Sequence, residues 1–92
     1  MNARIQLPAH LIAKLGERQY RLDLRGYSCP YPQLFAVKAL SQLEPGATLE
    51  IVIDNPPSVE TVLRSIANNG QEHLGTEKVG PSVWVIRARR PE

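Results

Sequence analysis

Cys29 is the only cysteine of the 92-residue chain, and it stands in the run Arg25-Gly26-Tyr27-Ser28-Cys29-Pro30-Tyr31-Pro32. A lone thiol cannot form an internal disulfide, and without further thiols or a histidine cluster it cannot build a structural zinc site. It is therefore either a small buried apolar side chain or a reactive group, and its flanks favour reactivity. Pro30 falls where a helical pattern begins, and proline suits the first helical position because its fixed φ fits and its missing N–H is not needed. Cys29 is then the N-cap or its neighbour, at the positive end of a helix dipole. That placement favours thiolate and lowers a free-thiol pKa of about 8.5 into the range of roughly 3.5–7.5. Pro30 and Pro32 each remove an N–H from the first turn, leaving Tyr31 and Gln33 among the few amides able to face the sulfur. The run reads as a rigid mount with moderate activation. Its plain alternative is a cysteine merely tolerated beside a helix start.

The surrounding elements must hold that mount. Tyr20, Leu22 and Leu24 alternate with Arg21, Asp23 and Arg25, the period of a half-buried strand. Gly26–Cys29 form a loop and Pro30–Leu43 a helix, closed by Glu44-Pro45-Gly46. Thr48–Asp54 read as a second strand with Leu49, Ile51 and Ile53 on one face. Asn55-Pro56-Pro57 break it, and Ser58 is the expected N-cap of the next helix. In that helix Val59, Val62, Leu63, Ile66 and Ala67 recur at amphipathic spacing, and Asn69-Gly70 end it. Residues 72–79 read as a weaker strand, Gly80-Pro81 as a turn and 82–89 as the last strand, with Trp84, Ile86 and Ala88 sharing a face. The order β-α-β-α-β-β predicts an α+β, two-layer sandwich: a four-stranded mixed sheet with two helices on one face. Residues 1–18 read as a short N-terminal extension, with a short helix over Pro8–Leu15, and residues 19–90 as the domain.

Ninety-two residues suffice for one small domain that buries roughly 60–65% of its unfolded surface. That leaves little room for an enclosed substrate cavity and favours surface chemistry. Eleven basic against nine acidic residues give a net charge of +2, too weak a bias to imply nucleic-acid binding by itself. No apolar run has the length of a membrane span and no start resembles a signal peptide. With no paired cysteines, a reducing, cytoplasmic setting is expected. His10 and His73 lack a partner constellation, so no metal site and no cofactor is expected.

From Leu22 to Pro32 the chain resembles the D-x-x-G-x-x-C-P-x-P signature of the TusA/SirA-like sulfur-carrier family. Further matches are Lys38-Ala39-Leu40, Pro45-Gly46, and Ile53-Asp54 with Pro56, so the resemblance spans about residues 20–90. It implies the same element order, a likeness to the C-terminal domain of bacterial translation initiation factor three, and a cysteine that accepts persulfide sulfur and passes it on. Carried over, Cys29 is the persulfide carrier, Gly26, Pro30 and Pro32 support it, and Asp54 and Lys38 match commonly retained polar positions. Asn55 departs from a position where an acid is common, and the extension is longer than usual. The implied partners are a donor such as a cysteine desulfurase or rhodanese-like protein and an acceptor of a sulfur relay, tRNA thiolation being one such route, with transient RNA contact compatible. Such a chain is a carrier whose partners supply the catalysis.

Helical geometry turns Phe35, Ala36, Val37, Ala39, Leu40 and Leu43 inward. Tyr31, Leu34, Lys38, Ser41 and Gln42 then face outward, which makes Tyr31, Leu34 and Lys38 a candidate docking surface beside the thiol. Asp54 has two readings, a cap for the second helix or an anchor for the Cys29 loop. Asp23 reads as a strand-surface charge, Trp84 as core, and Tyr27 as a packed loop aromatic. Two other function classes stay open. Arg21, Arg25, Arg87 and Arg89 sharing the open sheet face point to nucleic-acid binding, diluted by Asp23 and Glu50. An oxidisable Cys29 points to a redox-regulatory protein, any disulfide being intermolecular.

Overall fold

The computed structural model describes residues 9–28 and 31–91. A 3₁₀ turn at Ala9–Leu11 leads into strand β1 (Ile12–Gly16) and β2 (Gln19–Asp23), followed by helix α1 (Tyr31–Gln42). Strand β3 (Thr48–Ile53), helix α2 (Pro56–Asn68), β4 (Glu72–Gly80) and β5 (Val83–Arg89) complete the chain. The five strands form one sheet in the order β1-β2-β3-β5-β4. β2 and β3 run parallel, while β1/β2, β3/β5 and β4/β5 are antiparallel. The two-layer α+β class is as the pattern predicts, with one strand more than the four expected.

The extra strand replaces the helix expected over Pro8–Leu15, of which Pro8 lies outside the described residues. The period-four leucines gave a helical stripe, but Ile12–Lys14 instead pair with Leu22, Arg21 and Tyr20. The backbone groups along the β2 edge offer an interstrand hydrogen-bonding partner that an isolated short helix lacks, and tertiary pairing overrides the local pattern. Residues 17–18 make the tight turn, with Arg18 at φ 60°. Leu15 is left exposed.

The start of α2 also differs from expectation. Pro56 and Pro57 are its first two residues, Asn55 takes the N-cap position without a side-chain bond, and Ser58 is fully buried inside the helix. The physical reason is local. Two prolines at the start carry the right φ and no N–H, so a side-chain cap has fewer donors to satisfy.

The core lies between the helices and one face of the sheet. Leu22, Leu49, Ile51, Ile53, Ile86 and Ala88 from the strands meet Phe35, Ala36, Ala39, Leu40, Val62 and Ile66 from the helices. Val37 is only half-buried, and Trp84 sits at the core margin with Lys78 Nζ 5.5 Å from its ring centre. Two polar ties fix α1. The Tyr20 hydroxyl donates to Glu44 at 2.9 Å, and the Arg90 guanidinium donates to the Ser41 carbonyl at 3.0 Å and to that of Leu43. Arg90 thereby satisfies carbonyls that the end of a helix leaves without partners. No described helix is long and apolar enough to cross a membrane.

Ile51 is fully buried in the central strand, so Ile51→Ala is expected to lower stability by about 2–5 kcal/mol. Val52→Ala, half-buried on the other face, should lower it by less than half as much, both read from urea unfolding midpoints.

Candidate functional site

Cys29 and Pro30 lie outside the described residues, so the placement expected for them is followed through what brackets them. β2 ends at Asp23, β3 ends at Ile53, and the two run in the same direction. The segment 24–28 therefore leaves the sheet at the carboxyl ends of a parallel pair, where loops are free to carry chemistry. Leu24 stays attached to the sheet by donating its N–H to Val52 O at 2.8 Å.

Beyond Leu24 the loop is pinned from three sides. Asp23 accepts from the Arg25 backbone N–H at 3.1 Å and from its guanidinium at 2.9 and 2.8 Å. Asp54, one residue past β3, accepts from the Gly26 N–H at 3.0 Å. Gly26 sits at φ +88°, a conformation L side chains rarely adopt, while an added Cβ would meet nothing within 4 Å. Glycine is thus required there by backbone conformation rather than by space. Of the two readings of Asp54, the loop anchor is the one its hydrogen bond matches. Asp23 does more than the strand-surface charge expected of it: it folds Arg25 back and shapes the start of the loop. Only an i, i+2 side-chain turn would have flagged this in the sequence, and aspartate before such a loop is its usual signal.

The far side of the loop is held by aromatic packing. Tyr27 is half-buried, its ring edge-on to Phe35 at 5.4 Å and to Tyr31 at 6.3 Å between centroids. Tyr31 lies 5.8 Å from Phe35 and donates its backbone N–H to Ser28 O at 3.0 Å. That bond spans the two residues that carry the sulfur and its proline. Pro32 is fully buried in the first turn of α1. Tyr31 is 46% and Leu34 38% exposed, and Lys38, one turn further along, is exposed as well. The three candidate docking residues therefore share one solvent-facing strip that begins next to the loop.

The open face of the sheet is occupied by paired charges. Arg21 contacts Glu50 at 3.1 Å, Arg87 reaches Glu50 at 3.8 Å and Glu77 at 3.3 Å, and Arg89 reaches Glu72 at 3.5 Å. The four arginines singled out in the sequence do share that face, but each is matched by a carboxylate, which weakens the field a polyanion would feel. His73 bonds Thr76 at 2.7 Å, away from the loop.

Residues 20–90 match the profile of the family described as Sulfurtransferase TusA. The name "Putative sulfur carrier protein" belongs to a relative from Thermotoga maritima, 43% identical over 71% of this chain and 82% of its own. It belongs also, as YedF, to one from Escherichia coli K12, 38% identical over 70% of this chain and 83% of its own. The crystal structure of a SirA-like protein from Desulfitobacterium hafniense superposes with a TM-score of 0.70 at 25% identity, covering 78% of this chain and 97% of that one.

The Arg25 guanidinium bonded to Asp23 holds this carboxyl below the ordinary aspartate range, outweighing the opposing effect of burial. A depressed folded-state pKa contributes stability that is complete above the unfolded-state pKa and is lost as pH falls through the folded-state value. The stability advantage of the wild type over Asp23→Asn should therefore shrink as pH drops below about 4. Urea unfolding at a series of acidic pH values measures it, and a pH-independent difference would contradict the assignment.

Proposed function

Since the chain belongs to the TusA sulfurtransferase family, we propose that it carries sulfur as a persulfide on Cys29, between a donor protein and an acceptor. The observation that supports this best is the pinned loop. Asp54, Asp23 and the Tyr27–Phe35 contact pin the segment that leads to Cys29, at the end of the sheet where the parallel strands β2 and β3 finish. A carrier needs a sulfur held in place and within a partner's reach more than it needs a pocket.

The transfer balances as thiol exchange. The Cys29 thiolate attacks the terminal sulfur of a donor persulfide, on a cysteine desulfurase or a rhodanese-like protein. The donor S–S bond breaks, a new S–S bond forms on Cys29, and the donor cysteine leaves as thiolate with the electron pair. In the second half an acceptor thiolate attacks the terminal sulfur on Cys29, which returns as thiolate. No net oxidation occurs in either step. In this reading Pro30 and Pro32 are the structural support of the sulfur, while Tyr31, Leu34 and Lys38 form the strip on which the partner rests. Both partners supply the remaining catalytic groups, in the cytoplasm, and tRNA thiolation is one acceptor route that such a relay feeds.

Reduced protein mixed with a cysteine desulfurase and cysteine should gain the mass of one sulfur atom by intact-mass spectrometry, reversibly with reductant. Cys29→Ser should gain none, and a wild type that never loads from desulfurase or polysulfide would sink the proposal. Leu34→Asp tests the strip: loading by polysulfide should be unchanged, whereas loading by the desulfurase should slow at least tenfold.

A further inference from the structure

On the sheet face away from the helices, the strand register lays side chains out in rows. Asp23, Val52 and Val85 are direct cross-strand neighbours, as are Arg21, Glu50 and Arg87. With Val79 and Val83 these residues line a shallow groove of about 420 Å³. Its apolar end is formed by Val52, Val79, Val83 and Val85 and lies at the end of the sheet from which the Cys29 loop departs, since Val52 pairs with Asp23 and Arg25 also lines the groove. Val79 is 53% exposed. Four aliphatic side chains on an open sheet face, bordered by charge, give the groove a small apolar floor with an ionic rim.

The charge at the rim is asymmetric in its hydrogen-bonding capacity. Three arginines and two acids line the groove. Both oxygens of Asp23 already accept from Arg25, and both oxygens of Glu50 face Arg21 or Arg87. A guanidinium carries five N–H donors, and the bonds of Arg21 and of Arg25 involve only Nε and Nη2 of each side chain. Nη1 of each side chain therefore keeps donors that no described residue accepts. The Arg21 and Arg25 side chains are 52% and 58% exposed, so those donors face an incoming group.

We propose that this groove is a second docking site for the sulfur-exchanging partner, and that it takes an extended segment of aliphatic residues carrying carboxylates. The valines receive the aliphatic side chains, and the spare guanidinium donors of Arg21 and Arg25 receive the acid. The inference rests on the carrier reading for its purpose, because the groove and the Tyr31–Leu34 strip lie on opposite sides of the same loop. A partner gripping both would be tied to the carrier by two contacts rather than one, which raises the effective concentration of its reacting sulfur.

The test uses the full chain, labelled for amide and valine-methyl NMR, titrated with the peptide acetyl-Glu-Val-Asp-Val-Glu-amide and with its lysine-for-acid counterpart. The acidic peptide should shift the methyls of Val52, Val79, Val83 and Val85 and bind at least tenfold more tightly than the basic one. Val79→Asp should lose the binding, Val79→Lys should keep it, and both should load with polysulfide at Cys29 as the wild type does. Equal binding of the two peptides, no valine shifts, or shifts confined to α1 would overturn the proposal. Valine shifts that follow protein concentration without peptide would assign the face to a second copy and overturn it too. Failure of the wild type to load with sulfur would strike the carrier reading alone, because the methyl shifts are read without it.

Discussion

Parallel strands cannot be joined by a tight turn, and β2 and β3 are parallel neighbours at the middle of the sheet. The chain leaving β2 must therefore cross over the sheet and return to its starting end before β3 begins. Helix α1 is that crossover, and the loop before it is forced to one particular end of the molecule. The sulfur-bearing segment owes its position to this connection. Burial of Leu22, Leu49 and Ile51 on the helix side holds the pair in register, because a slip of one residue would turn all of them toward solvent.

Long periodic stretches were legible in the sequence. The alternation from Tyr20 to Leu24, the leucine and isoleucines of 49–53 and the stripe of α2 each name an element and its buried face, and the structure agrees except at Ala67, which lies exposed near the end of α2. The outward set Tyr31, Leu34 and Lys38 follows from helical angles alone and is exposed as expected. Two features were not legible for physical reasons. Residues 12–16 are a strand only because β2 offers a free edge, a fact about tertiary structure to which a local leucine repeat is blind. Ser58 has the chemistry of a cap, but Pro56 and Pro57 begin the helix sooner. The pattern of the loop was half legible: glycine at 26 signals unusual backbone, yet that Asp54 is the residue reaching it depends on the β2–β3 pairing.

The electrostatics of the fold are short-ranged. Arginine and carboxylate alternate across the open face, so the exposed pairs add little to stability and leave little long-range potential. Recognition on that face then depends on contact and on hydrogen-bond matching at close quarters. The loop follows the same economy. Its constraints are the hydrogen bonds that Asp23 accepts from Arg25, the one that Asp54 accepts from Gly26, and the edge-on packing of Tyr27, each weak alone and acting together on a few residues.

Arg90 lies far from α1 in sequence, yet its guanidinium closes the carbonyls at the end of that helix while its backbone pairs with Gly46 and Ala47. Strand β3 likewise stands between β2 and the late strand β5. The order in which a ribosome releases the chain is therefore poorly matched to the order in which contacts become available. Neither α1 nor the central strand has its full set of neighbours until residue 90 has emerged, so the nascent domain has no stable half. Folding must be a late and collective event of the finished strands, and the apolar faces of α1 and β3 spend synthesis in the care of whatever shields a growing chain.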